Sequence, residues 1–149
     1  MHKLLWFIFL FFTAIRPAFS ENTIGVSDVW VNEAPPTVKV LAGYLTISND
    51  SDNPVNLTAI KSPDFKKIEF HLTIMKDGVA SMKKQAEITV PAHSKFSFSP
   101  GKYHLMLFNP AQAVKSGDTI PLELSFSNGE LMKVDADVKR SDHEEHHHH

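Results

Sequence analysis

The chain has no cysteine among its 149 residues. In an oxidising compartment that removes disulfides as staples, so the fold has to stand on its core alone. It also leaves methionine as the soft sulfur ligand. A thioether cannot be lost to disulfide formation, although it can oxidise to the sulfoxide. Basic clusters are missing as well. Fifteen Lys and Arg stand against 17 Asp and Glu, a balance that argues against nucleic acid, whose phosphates demand Lys/Arg patches. No Ser/His/Asp set, HExxH or pair of catalytic carboxylates stands at recognisable spacing, which argues against an enzyme.

One long apolar run is present, at the N-terminus. In "MHKLLWFIFLFFTAIRPAFS" a basic Lys3 precedes the run Leu4 to Ala14, and Ala18-Phe19-Ser20 supplies small residues for a cleavage site after Ser20. That is the layout of a secretory signal peptide. The run is roughly ten residues, short of the roughly 20 that span a bilayer, which disfavours a retained anchor. No second such run follows, so a soluble mature protein without a membrane segment is expected. The reading is therefore a signal peptide over 1–20, one domain over 21–140, and a disordered tail over 141–149, "SDHEEHHHH". The tail is either native or the remnant of a purification tag. If native, its imidazoles and carboxylates suit Cu(II).

Between these ends the sequence reads as short strands. "TIGVSDVWV", "TVKVLAGYLTISN", "VNLTAIKSP", "KIEFHLTIM", "KKQAEITV", "SKFSFSP" and "YHLMLF" are each bounded by Pro, Gly, Asp or Asn, and "TIPLELSFSNGELMKVDADVK" closes the series. Asn128-Gly129 and Asp77-Gly78 are hairpin signals, because both residue types tolerate the positive φ of a type I′ turn. Eight or nine such strands predict an all-β fold, an antiparallel β-sandwich of cupredoxin-like or immunoglobulin-like type. Asn109 to Asp118 is the one stretch with helical character, read as a single turn or a loop.

"GKYHLMLFNP" puts a histidine and a methionine two residues apart, where leucine would pack more cheaply. Alternation along a strand gives His104 and Met106 one face and Leu105 and Leu107 the other. A turn at Asp77-Gly78 pairs Lys76 with Val79, Ile74 with Ser81 and Thr73 with Met82. Met82 then lies diagonal to His71 on the same face, about 7–8 Å away. Two imidazoles and two thioethers could close around one ion. Thioether sulfur is a poor partner for Zn²⁺, Ca²⁺ or Mg²⁺ and a good one for Cu(I). Met75 falls on the same face as His71 and is read as packing, with a lid or auxiliary thioether as the alternative. Met132 is read as structural, His93 as a solvated turn residue, and Tyr103 as core.

The spacing His71, ten residues, Met82, twenty-one residues, His104, one residue, Met106 resembles the signature of the PCu(A)C family of periplasmic copper chaperones. The flanking "DGVASM", "ITVPAHSKFSFSPGKYHLML" and "SGDTIPLELSFSNGE" agree, and Trp30 sits where that family tends to carry a tryptophan. The likeness runs from about Ile24 to Val138 and departs from the family at Leu72 and at His93-Ser94. It implies a cupredoxin-like sandwich with His71, Met82, His104 and Met106 as Cu(I) ligands; a monomer is expected. It also implies transfer of Cu(I) to the copper centre of a haem–copper oxidase, directly or through a thioredoxin-like copper-handling partner. The competing reading is an exported interaction module without metal, in which these side chains only pack.

Overall fold

The structure, a computed structural model, describes residues 23–140; the expected signal peptide and the His-rich tail lie outside the described residues. Ten strands follow one another: β1 (Ile24–Asn32), β2 (Val40–Asn49), β3 (Val55–Lys61), β4 (Phe65–Lys76), β5 (Val79–Gln85), β6 (Ile88–Val90), β7 (Ser94–Ser97), β8 (Tyr103–Pro110), β9 (Thr119–Phe126) and β10 (Leu131–Lys139). They hydrogen-bond in the order β5-β4-β8-β2-β1-β10-β9-β3-β6, with β7 also on β2. The sheet folds back on itself into a sandwich. Leu41, Ile47, Phe70, Leu105 and Leu107 from one layer meet Leu57, Ile60, Leu122, Leu124 and Val138 from the other in one continuous core. Alternation produces this directly, since every second side chain of a strand turns inward.

β1 belongs to both layers. It pairs antiparallel with β2 and, over Trp30 to Asn32, parallel with β10. The sheet is therefore mixed rather than wholly antiparallel. A register shift between Ser27 and Trp30, with Asp28 at φ 52°, bends the strand where it changes partner, as bulges do. At Gly43 of β2 a Cβ would stand 2.9 Å from Leu107 Cδ1. Leu107 is fully buried, so only glycine lets β2 and β8 approach this closely.

Three local expectations need correction. "KKQAEITV" is not one strand: it divides into the end of β5 and the separate β6, which occupy opposite ends of the strand order. The exposed lysines stay on the edge with β5, while Ile88 and Val90 turn into the core. Of the two readings of Asn109 to Asp118 the loop holds, but it starts later: Asn109 and Pro110 finish β8, and within 111–118 Val114 bridges Ala34. The hairpin at Asn128-Gly129 forms, but only Gly129 has positive φ, at 89°. Gly129 N–H donates to Phe126 O, and Phe126 N–H donates to Glu130 O. The Asn128 side-chain oxygen accepts from Glu130 N–H. The extra residue makes this a longer loop with glycine at its left-handed position, not a two-residue type I′ turn.

Candidate metal centre

The β4–β5 hairpin turns at Asp77 and Gly78, with φ of 51° and 75°, both left-handed as a type I′ turn requires. Its register is the one the turn dictates: Lys76 opposite Val79, Ile74 opposite Ser81, Thr73 opposite Met82. On its other side β4 pairs with β8, which sets His71 directly opposite His104 and Glu69 opposite Met106. Ala42 of β2 flanks Met106 from the far side. His71, Met82, His104 and Met106 thus share the outer face of one layer, and Leu105 and Leu107 fill the core behind them.

The two imidazoles sit side by side, ring centroids 6.0 Å apart. His104 is only 6% exposed, and Met106 is half-buried. Met82 is 60% exposed and forms the open side of the group. Tyr44, buried and stacked on Trp30 at 4.4 Å between ring centroids, closes the β2 side.

Hydrogen bonding fixes which nitrogens are free. His104 Nδ1 lies 3.1 Å from Lys102 O. A carbonyl only accepts, so Nδ1 carries the proton and Nε2 keeps its lone pair. His71 Nε2 lies 2.9 Å from Glu69 Oε2, so Nε2–H donates to the carboxylate and, in the neutral ring, Nδ1 keeps its lone pair. Both remaining nitrogens, His71 Nδ1 and His104 Nε2, are buried without a hydrogen-bond partner. Each such orphan costs about 1–3 kcal/mol. Two of them on neighbouring rings leave two nitrogens open to a ligand. Metal–imidazole bonds of about 2.0–2.1 Å leave room for one ion between rings at this separation. Among the described residues no group of three or more His, Asp or Glu side chains gathers for a hard metal. The donors here are two imidazoles with thioethers beside them.

Glu69 was not singled out in the sequence. It stands two residues before His71 on the same face, and it also accepts from Lys67 Nζ and Lys84 Nζ at 2.9 Å each. The His71 hydrogen bond, then those of Lys67 and Lys84, hold its carboxyl at about 2 instead of the ordinary 4.5. A folded-state value below the unfolded one means that the ionised carboxylate stabilises the fold, fully above about pH 4.5 and progressively less as pH falls toward 2. In metal-free protein, the difference in urea midpoint between wild type and Glu69→Gln should hold steady above about pH 5 and narrow toward pH 3. A difference that widened over that interval would contradict the ion-pair assignment.

The other candidates sort themselves by burial. Met132 and Tyr103 pack partly buried against the core. His93, at φ 52°, is exposed and bonds Asp52 at 2.8 Å. The packing reading of Met75 is wrong. It is 64% exposed on the site face, because only Ala80 stands opposite it near the hairpin tip.

Comparisons with known proteins agree with this architecture. The copper-bound PCuAC domain from PmoF2 superposes with a TM-score of 0.68 at 22% identity, over 79% of this chain and 93% of that one. The Cu(I) form of DR1885 from Deinococcus radiodurans gives 0.63 at 28% identity, over 80% of this chain and 78% of that one. Among relatives by sequence, "Putative lipoprotein Lxx21020" of Leifsonia xyli is 25% identical over 128 residues, 85% of this chain and 76% of its own length. The uncharacterized protein RP573 of Rickettsia prowazekii is 29% identical over 112 residues, 70% of this chain and 62% of its own length. The sandwich is that of PCuAC domains, and the family described as "Putative lipoprotein LpqE-like" matches residues 24–138, so the chain belongs to the LpqE-like family.

Proposed function

We propose that this protein is a copper carrier of the periplasm. It binds one Cu(I) through His71, Met82, His104 and Met106 and delivers it to a protein acceptor without catalysing a reaction. The observation that carries the reading is the pair of buried imidazole nitrogens left without partners on neighbouring rings, on the face that also holds Met82 and Met106. Copper in DR1885 and in the PmoF2 domain supports it. Soft neutral thioethers favour Cu(I) over harder ions, and neutral donors leave the ion its single positive charge. The Glu69 carboxylate behind His71 orients the ring and raises its basicity. The acceptor in this reading is the copper-centre subunit of a haem–copper oxidase or a thioredoxin-like copper-handling protein, approached by a monomer. Cu(II) at the His-rich tail would be a separate store.

A competition titration of the mature protein against a Cu(I) chelator tests this. One equivalent should bind to wild type, and His71→Ala with Met106→Leu should weaken binding by more than about 100-fold, beyond what outer-contact losses cost. Absence of Cu(I) binding by the folded wild type would leave only a metal-free interaction module.

A further inference from the structure

The imidazole pair can be approached from few directions. Phe70 and Leu105 pair on the core side, and buried Tyr44, two residues on from Ala42, stands on the β2 side of the same face. The open approach runs along the β4–β5 hairpin, where Met75 and Met82 are 64% and 60% exposed. Met82 stands opposite Thr73, so it is diagonal both to Met75 on the tip side and to His71 on the inner side. Diagonal neighbours on one face lie about 7–8 Å apart, within reach of long side chains. The residues between them, Thr73 and Ala80, are small and leave both sulfurs uncovered.

We propose that Met75 and Met82 form an outer two-thioether station through which Cu(I) enters and leaves the buried site. This rests on the copper-carrier reading and adds a route to it. In the outward step the Met75 sulfur bonds the ion as His71 Nδ1 releases it, Met82 stays bound throughout, and His104 Nε2 and the Met106 sulfur then let go, which leaves the ion on the two outer thioethers. Every donor is neutral, so no proton or electron moves, and each freed nitrogen or sulfur regains its lone pair. The thioether at position 75 is chemically specific: an apolar contact alone would be served as well by leucine, which does not oxidise.

Met75→Leu separates the possibilities, since an exposed, volume-conserving change leaves the fold intact. Equilibrium Cu(I) affinity should stay within about twofold of wild type. Stopped-flow transfer of Cu(I) to a dithiol chelator should slow by about tenfold, a barrier rise of about 1.4 kcal/mol. With Ag(I) as a diamagnetic probe below one equivalent, the Met75 methyl resonance of wild type should show exchange broadening that the metal-free protein lacks. Wild-type transfer by Met75→Leu, or a Met75 methyl without that broadening, would overturn the station and point to apolar docking. Affinity lost in proportion to rate would overturn it too, by making Met75 an ordinary ligand. Failure of wild type to bind Cu(I) would instead sink the carrier reading beneath it.

Discussion

Changing both thioethers at once, Met82→Leu with Met106→Leu, should lower Cu(I) affinity by more than about 100-fold and leave the fold nearly untouched. Outer partners of a metal ligand are worth about 10- to 100-fold when removed, and these two sulfurs are assigned to the ion itself. Leucine for methionine conserves volume and usually costs less than about 1.5 kcal/mol in a core. Met82 is exposed and Met106 half-buried, so the structural effect should fall below that figure. Chelator competition reads the first effect and the urea midpoint the second. If the side chains served only as packing, affinity would stay within tenfold of wild type, and the donor assignment would fail.

Leu105→Ala should do the reverse. Leu105 sits between His104 and Met106 in β8 but points the other way, and it is fully buried. Truncating a buried leucine costs about 2–5 kcal/mol, a large part of the 5–15 kcal/mol that holds a typical domain. The ligand set is unchanged, so the folded fraction should bind Cu(I) as wild type does. Saturating metal should then recover stability, about 2.7 kcal/mol when free ligand is 100 times its dissociation constant. A stability loss under about 1 kcal/mol, or selective loss of copper from fully folded protein, would show that the two faces of β8 do not divide the work.

That division was legible in the sequence because strand alternation has period two: "YHLMLF" separates its donors from its core residues on inspection. The Thr73–Met82 register was legible for a similar reason, since Asp77-Gly78 admits one tight turn and the turn sets every pair behind it. What alternation cannot show is which strands become neighbours. The alignment of His71 with His104 joins β4 to β8 across three intervening strands, and only the assembled sheet reveals it. Glu69 escaped notice because a carboxylate in a strand ordinarily reads as a solvated face. Its meaning comes from the ring nitrogen it holds. The exposure of Met75 was missed because its cross-strand partner, Ala80, is too small to cover it.

The membership of β1 in both layers has a consequence for how the molecule comes to exist. β1 can pair with β2 early, but its Trp30 to Asn32 end must wait for the last strand, because β10 exists only once nearly the whole domain is available. Pairings between chain ends slow folding, since loop closure precedes the contacts that reward it. A chain threaded across a membrane from its N-terminus would therefore lack the parallel seam between its two layers until its final strand emerged on the far side.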